Sequence, residues 1–173
     1  MNNANSAIKL HVRWMIKRDM PEVLAIEAAS FTEPWLEGDF VRCLRQRNCI
    51  PMCVECLNID EDRWPVGGYL IYELHPGRMH ILTVVVDPKL RRLGLATRMI
   101  DKMKEKLHNA RRSQISIDVH ESNLIGQKLL QINGFKAEPY EGGKYIVDGD
   151  IHMRYTLEAI VQEDYKYYSE DIV

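Results

Sequence analysis

The sequence predicts a mixed α/β (α+β) fold, in which helices cover the faces of one central β-sheet. One long segment carries apolar residues at positions 95, 99, 103 and 107, which is the pattern of a helix with one buried face. Short runs rich in valine and isoleucine are typical of strands. The predicted order, β-α-α-β-β-β-α-β-α-β-β, fits neither a doubly wound sheet nor an all-β fold. It indicates a mixed central sheet flanked by helices.

Length and charge limit the classes of function. The chain has 173 residues, 46% of them hydrophobic, so it can bury a core and still form one domain. We expect a polar N-terminal segment over 1–9, a single domain over 10–157 and an acidic tail over 158–173. The formal net charge of −2 gives no overall attraction to nucleic acids or anionic lipids. Neither nucleic acid nor a membrane is therefore expected as a direct partner.

The sequence also indicates a cytoplasmic protein. No apolar stretch is as long as a membrane span, and the polar start MNNANSAIK lacks the apolar core of a signal peptide. The four cysteines are therefore expected as reduced thiols; they are Cys43, Cys49, Cys53 and Cys56. Cys53 and Cys56 form a Cys-x-x-Cys pair. No second pair and no nearby histidine completes a tetrahedral site, so no metal is predicted.

The N-terminal third is predicted as one strand and two helices. The strand covers Leu10–Met15. The first helix begins at Asp19, whose carboxylate can accept hydrogen bonds from first-turn amides, while Glu22 can complete a capping box. It runs to about Ser30, where the residues FTEPW break it. Apolar residues at 36, 40 and 44 then mark a second helix.

The rest of the chain is predicted as further strands and two helices. The strands are expected over 49–57, 66–74, 79–86, 114–119, 135–147 and 150–157. A polar loop, 58–63, joins the first two of these strands. The long helix runs to about Asn109. The last helix is capped by Ser122 and Asn123 and ends before Gly134, because glycine suits a helix C-terminus.

The residues RRLGLA, from Arg91 to Ala96, lie between an apolar strand and the long helix. Glycine at the tight turn lets several N–H groups converge at a helix N-terminus, where the dipole favours an anion. A pyrophosphate fits this cradle, and Arg91 and Arg92 stand at its entrance. The alternative interpretation is a generic strand-to-helix turn. The patterns of nucleoside-triphosphate loops and of dinucleotide-binding loops are both absent.

The run ILTVVVDPKLRRLGLATRMIDKM resembles motif A of the GNAT acetyltransferases. The resemblance implies that a splayed strand and the glycine loop hold acetyl-coenzyme A without a metal, and that backbone groups of three valines pair with the pantetheine arm. Three consecutive valines are equally typical of any buried strand. The residues that the resemblance predicts to bind the cofactor are Val84, Val85, Val86, Arg91, Arg92, Leu93, Gly94, Leu95, Ala96, Thr97 and Asn123.

Three further segments are similar to one branch of that superfamily, the RimI-type protein alanine N-acetyltransferases. They are FTEPW, IDVHESNLIGQKLLQINGF and the segment from Lys144 to Met153. Together with motif A, they cover most of residues 10–157. The predicted element order is also the GNAT order.

The alignment with this branch assigns the catalytic residues. The branch's catalytic glutamate aligns with Asp118, whose side chain is one methylene shorter, so proton transfer is expected to pass through water. The branch's general-acid tyrosine aligns with Leu130, which has no proton to donate. Tyr145 is the predicted substitute acid. Asn123 matches a position that holds cofactor and peptide, and its alternative role is a helix cap.

The resemblance therefore implies an acetyl-CoA-dependent N-acetyltransferase that works by direct attack of a neutral amine on the thioester. About a tenth of N-terminal α-amines are neutral at pH 7, because their pKa is about 7.7–8.0. The reaction therefore needs little help from a general base. The expected partner is the N-terminus of a protein or peptide, such as a ribosomal protein. Transfer to a small-molecule amine, and a catalytically weak acyl-CoA-binding module, are the alternatives. The oligomeric state, monomer or dimer, stays open.

Overall fold

The structure is a computed structural model that describes residues 8–57, 65–109, 112–141 and 143–156. Its helices are α1 (Met20–Ser30), α2 (Glu37–Leu44), α3 (Leu95–Asn109) and α4 (Leu124–Ile132). Its strands are β1 (Leu10–Trp14), β2 (Cys49–Cys56), β3 (Val66–His75), β4 (Arg78–Val86), β5 (Gln114–His120), β6 (Lys136–Ala137), β7 (Ile146–Val147) and β8 (Asp150–Thr156). The predicted loop over 58–63 and the predicted tail from 158 lie outside the described residues.

One eight-stranded sheet forms the centre of the fold. Its strands lie in the order β1-β2-β3-β4-β5-β8-β6, and β7 pairs with β8. Among the described strands, β4 and β5 are the one parallel pair, and α3 makes the crossover that a parallel connection needs. The predicted mixed sheet with flanking helices is confirmed. None of the described helices is long and apolar enough to span a membrane.

Two apolar cores lie on opposite faces of the sheet. On one face, α3 contacts β1 to β5 through four fully buried side chains, Leu95, Met99, Met103 and Leu107. Full burial of one such side chain stabilises a fold by about 1.5–3 kcal/mol, which holds α3 across the sheet. The other face carries α1 and α2, with Val23, Ile26 and Phe40 buried. The predicted apolar face of the long helix is confirmed.

The start of α1 differs from the predicted cap. Asp19 makes no side-chain hydrogen bond to the first turn of α1; instead its Oδ2 accepts from Arg13 Nη1 at 2.7 Å. Arg13 Nε also donates to Glu55 Oε1 at 2.7 Å. Glu22 Oε2 accepts from the backbone N–H of Val66 at 2.7 Å. These carboxylates therefore bond to distant partners, and through them they tie α1 to β1, β2 and β3.

The predicted strand over 135–147 is interrupted in the structure. Only its ends are paired, as β6 and β7. Pro139 has no N–H to donate to a ladder, and Gly143 has a φ of 81°, which a regular strand does not contain. The chain therefore leaves the sheet between these residues. Its excursion brings Tyr140 against β5 and β8, where the Tyr140 hydroxyl contacts Asp118.

The four cysteines are buried free thiols. Burial raises the pKa of the Cys53 thiol to about 12 and also raises the pKa of Cys56. A thiol needs its thiolate form to act as a nucleophile or metal ligand, so neither member of the Cys-x-x-Cys pair is set up for that chemistry. Among the described residues, no group of three or more His, Cys, Asp or Glu side chains could hold a metal ion.

Candidate active site

An opening between β4 and β5 forms the centre of the candidate site. The two strands pair from Arg78 opposite Gln114 only as far as Ile81 opposite Ile117, although β4 continues to Val86. On its other side, β4 stays paired with β3 to the end, with one register shift at Leu82. Within the described strands, the β5-facing backbone groups of residues 82–86 therefore have no strand partner. An extended ligand can bond to them as a strand would.

The loop from Arg91 to Gly94 follows the open end of β4. Arg92 and Gly94 have positive φ values of 69° and 83°, an alternation that turns successive N–H groups towards a shared concavity. The first helical bond of α3 runs from Arg98 N to Gly94 O at 2.9 Å, so the amides of the preceding residues have no partner within the helix. The loop therefore has the backbone alternation that an anion-binding nest needs, and it adjoins the opening.

The two arginines of the loop are placed differently. Arg91 reaches backwards, with Nε 3.3 Å from the Val86 carbonyl and Nη2 3.3 Å from Ser30 Oγ, so its side chain ties the loop to β4 and to the end of α1. Arg92 is exposed and makes no hydrogen bond to another described residue. The guanidinium of Arg92 is the freer of the two to meet a phosphate oxygen.

Most of the other residues predicted to bind the cofactor have side chains that pack in or against the two cores. Val85 packs in the core under α1 and α2, and Val84 and Val86 pack against the core under α3, so their side chains point away from the plane of the opening and only their backbones face it. Leu95 is buried, while Ala96 and Thr97 are half-buried and Leu93 is exposed. Asn123 caps α4, its Oδ1 accepting from Gly126 N at 2.9 Å, which is the alternative role considered from the sequence.

A polar strip runs across β4, β5 and β8 on the face that also carries α1 and α2. Residues alternate between the faces of a sheet. Because Ile81, Ile117 and Met153 lie in the core under α3, their polar neighbours point the opposite way. The described core under α1 and α2 contains residues of β2, β3 and β4 and none of β5 or β8. We call this set the polar strip; its members are His80, Ser116, Asp118 and His152, of which Ser116 is fully buried.

Asp118 is the central acceptor of the polar strip. It is the first residue of β5 beyond the last parallel pair, and its side chain is 36% exposed. Its Oδ1 lies 2.6 Å from His152 Nδ1 and accepts from the Tyr140 hydroxyl at 3.1 Å. Its Oδ2 lies 3.8 Å from His80 Nε2. The carboxylate is thus held through Oδ1, while Oδ2 lies beside His80.

Burial keeps two neighbours of Asp118, His80 and Tyr140, in their neutral forms. Burial lowers the pKa of His80, and the Asp118 charge only partly opposes this; His80 Nδ1 also lies 3.0 Å from Ser116 Oγ. Burial, reinforced by the Asp118 charge, raises the pKa of Tyr140 to about 12. Tyr140 therefore keeps its proton and serves as a donor to the carboxylate.

The structure brings Tyr140, rather than Tyr145, to the predicted base. Tyr145 is 58% exposed beside β7 and makes no hydrogen bond to a described residue. Leu130 is 2% exposed in the core under α3, so the position of the missing tyrosine is filled by packing. Sequence reasoning missed Tyr140, His80 and His152. Strand alternation could have placed the two histidines on one face, but the register that joins them to Asp118 needs the assembled sheet.

A model of the acetyltransferase (GNAT) family matches residues 20–135. The chain belongs to the GNAT acetyltransferase family. The match runs from the first turn of α1 to the residue before β6, so it includes the opening, the glycine loop and Asp118. Transfer of an acetyl group is therefore the general chemistry of this GNAT chain.

Solved structures resemble the GNAT chain along almost their whole length. The ribosomal-protein-S18-alanine N-acetyltransferase from Escherichia coli has a TM-score of 0.70 at 17% identity, covering 86% of this chain and 94% of that one. The PaiA N-acetyltransferase from Thermoplasma acidophilum, in complex with coenzyme A, has a TM-score of 0.69 at 12% identity, covering 86% and 99%. A streptothricin acetyltransferase from Bacillus anthracis, in complex with acetyl coenzyme A, has a TM-score of 0.65 at 16% identity, covering 86% and 100%. At these low identities, the TM-scores establish a shared fold alone. A comparison with curated protein sequences gave no match.

Proposed function

We propose that this GNAT chain transfers an acetyl group from acetyl-CoA to the N-terminal α-amino group of a protein or peptide, in the manner of the RimI-type branch. The observation that carries the proposal is the place of Asp118, a half-exposed carboxylate at the base of the opening between β4 and β5. The glycine loop stands at the other end of that opening. In this proposal the loop binds the anionic part of the cofactor and Asp118 accepts the proton, at the two ends of the opening.

The residues on this path fit acetyl-CoA, which brings the thioester when it is bound. The amides of the loop from Arg91 to Gly94 and of the first turn of α3 bind its pyrophosphate, with Arg92 as the free cation. The unpaired backbone groups of residues 82–86 hold its extended arm as a neighbouring strand would. Positioning by backbone groups of this kind supplies a large share of the acceleration in a two-substrate reaction.

Asp118 accepts the proton that the attacking amine loses. Its exposed carboxylate reaches the amine through a water molecule, because aspartate is one methylene shorter than the glutamate of the similar enzymes. An α-amine, with a pKa of about 7.7–8.0, loses its proton far more readily than a lysine, with a pKa of about 10.4. A base that reaches the amine only through water therefore favours the more readily deprotonated N-termini over lysine side chains.

The leaving thiolate needs little help from an acid. Thiols such as cysteine have a pKa of about 8.5, so coenzyme A leaves largely unprotonated. Tyr140, whose pKa is raised to about 12, is too weak an acid for that task and instead steadies Asp118. Tyr145 remains the candidate acid assigned from the resemblance. A chain with leucine at position 130, in place of the branch's tyrosine, can therefore still be active.

A second acceptor class, small polyamines and related cations, is favoured by one observation. The charges of Asp118, Asp148 and Asp150 all act on the Tyr140 hydroxyl, so several carboxylates surround the site at its β8 end. Carboxylates attract polycations and give no special advantage to a peptide N-terminus. The same assay distinguishes the two classes of acceptor.

The proposal is tested by mass spectrometry of acetyl transfer from acetyl-CoA to a mixed pool of peptides with free N-termini, internal lysines and small amines. We expect products at α-amines. Replacing Asp118→Asn is expected to lower turnover by about 10²-fold or more, while Glu121→Gln, an exposed carboxylate just beyond β5, leaves turnover unchanged. Products confined to lysines or small amines would overturn the N-terminal assignment. Coenzyme binding without any product would support a binding module instead.

A further inference from the structure

We infer that His152 is a positioning residue that holds Asp118 and sets the pH at which this carboxylate can act as the base. The inference rests on the proposed function, because it concerns the same reaction. It adds a residue from β8, outside motif A and outside the residues 20–135 that the family model matches.

The contact between the two side chains is direct. Asp118 and His152 are opposite one another in the antiparallel β5–β8 ladder, and His152 Nδ1 lies 2.6 Å from Asp118 Oδ1. Opposite side chains on one face of a ladder lie close by construction, so the sheet itself fixes the pair. The His152 side chain is 12% exposed and that of Asp118 is 36% exposed. The imidazole is thus the inner member of the pair and the carboxylate the outer one.

The surroundings orient the imidazole. The Tyr140 ring packs against it with ring centres 5.6 Å apart, and the same tyrosine donates to the oxygen that His152 contacts. An imidazole N–H and a phenol O–H then both point to Oδ1. Both donors contact Oδ1, while Oδ2 lies 3.8 Å from His80 Nε2.

Protonation of His152 changes the strength of the base. A neutral imidazole donates one N–H to the carboxylate and leaves it able to accept a further proton. An imidazolium in the same place adds a positive charge in contact with the carboxylate, which typically lowers the affinity of a carboxylate for a proton by about 1–3 pKa units. Protonation of either of two groups, the acceptor amine or His152, then slows the reaction.

Other charges near the imidazole modulate this effect without replacing it. Arg154, two residues along β8, is paired with Glu138 at 2.8 Å. His80 on β4 interacts with both Asp118 and His152, and burial lowers its pKa, so it stays neutral. The titratable and charged groups around His152 are Asp118, His80, Tyr140, Glu138, Arg154 and Asp150.

The first test is the pH dependence of kcat/KM, measured with whichever amine the full-length protein acetylates. On the acid side we expect kcat/KM of the unaltered protein to fall more steeply than tenfold per pH unit where His152 becomes protonated, because two protons matter. The kcat/KM of His152→Asn should fall by about tenfold per pH unit, because only the amine titrates. The asparagine amide can donate from nearly the position of Nδ1 but cannot be protonated, so His152→Asn keeps most of its activity above pH 8. His152→Leu loses the contact and about 10–100-fold in activity at every pH.

A matched control is His120→Asn, since His120 lies on the same face of β5 and its Nδ1 contacts Ser122 Oγ at 2.7 Å rather than Asp118. It should keep the steep acid limb. The inference is overturned if His152→Asn keeps the steep limb as well, or if His120→Asn loses it.

The second test needs no acetyl acceptor. Proton NMR of the unaltered protein should show a strongly downfield, slowly exchanging imidazole N–H that disappears in both His152→Leu and Asp118→Ala. If that signal persists in Asp118→Ala, the inferred hydrogen bond between His152 and Asp118 does not exist. If the signal is present but no amine is acetylated, the result counts against the proposed function and leaves the pair intact. Failure of the inference and failure of the proposed function are therefore distinguishable.

Discussion

Replacing Gly94→Ala isolates the contribution of the loop geometry to coenzyme binding. Gly94 has a φ of 83°, and no heavy atom lies within 4 Å of the place that a β-carbon would take. The substitution therefore causes no clash, and its cost is the left-handed backbone alone, about 1–2 kcal/mol for an L-residue. If the loop relaxes to avoid that strain, its amides no longer converge. We expect the dissociation constant for coenzyme A to rise by about 5–30-fold, measured by isothermal titration calorimetry.

Gly77→Ala is the matched control for this experiment. Gly77 has a φ of 79° and equally open surroundings, but it lies in the β3–β4 turn, at the opposite end of β4 from the loop. Both variants should lose about 2–8 °C in melting temperature from the same backbone strain. Only Gly94→Ala should weaken the binding of coenzyme A. Equal coenzyme affinity in the two variants would refute the assignment of the loop as an anion cradle.

Three further predictions concern the buried Leu130, the ion pair of Asp19 with Arg13, and the candidate acid Tyr145. Leu130→Tyr, which restores the tyrosine of the similar enzymes, forces a larger side chain into the core and should lower the free energy of unfolding by about 1–3 kcal/mol without raising kcat; urea unfolding and steady-state kinetics test this. Burial favours a raised pKa for Asp19, but Arg13 outweighs it and the pKa is lowered, so this carboxylate stabilises the fold above its unfolded pKa of about 3.9 and loses that effect as pH falls. The melting temperature of the unaltered protein should therefore approach that of Asp19→Asn in acid, and a constant gap would contradict this. Tyr145→Phe should reduce kcat less than Asp118→Asn does, because a thiolate leaves unaided; a larger loss would make Tyr145 essential.

Much of the fold could be predicted because its signals are local. The four apolar positions of α3 and the β-branched runs of β4 and β5 appear in the sequence at helical and strand spacing. The segment over 135–147 was predicted less well, since its apolar ends suggested one strand while Pro139 and Gly143 interrupt it. The cap at Asp19 was wrong for a different reason. Its carboxylate had a local partner available in sequence and a charged one, Arg13, that only the folded structure brings to it.

One part of the candidate site is local in sequence, and the other part is assembled from distant segments. The glycine loop is a continuous stretch of chain whose backbone geometry follows from its own residues, so the sequence could locate it, and the structure shows the expected positive φ at Gly94. The groups around Asp118 come from β4, β5, β8 and the loop that carries Tyr140. Their meeting depends on strand register, which no single segment encodes.

The sequence by itself therefore determined the kind of fold and the place of the glycine loop, because periodicity and glycine act over a few neighbouring residues. The role of Asp118 stays a prediction from the resemblance. Only the tertiary structure decided which groups surround that carboxylate. Tyr140 and His152 are separated from Asp118 by 22 and 34 residues, and they contact it because α4 returns the chain to the sheet edge and β8 pairs with β5 in one fixed register. A one-residue shift of that register would turn His152 to the opposite face and leave Asp118 without its partner.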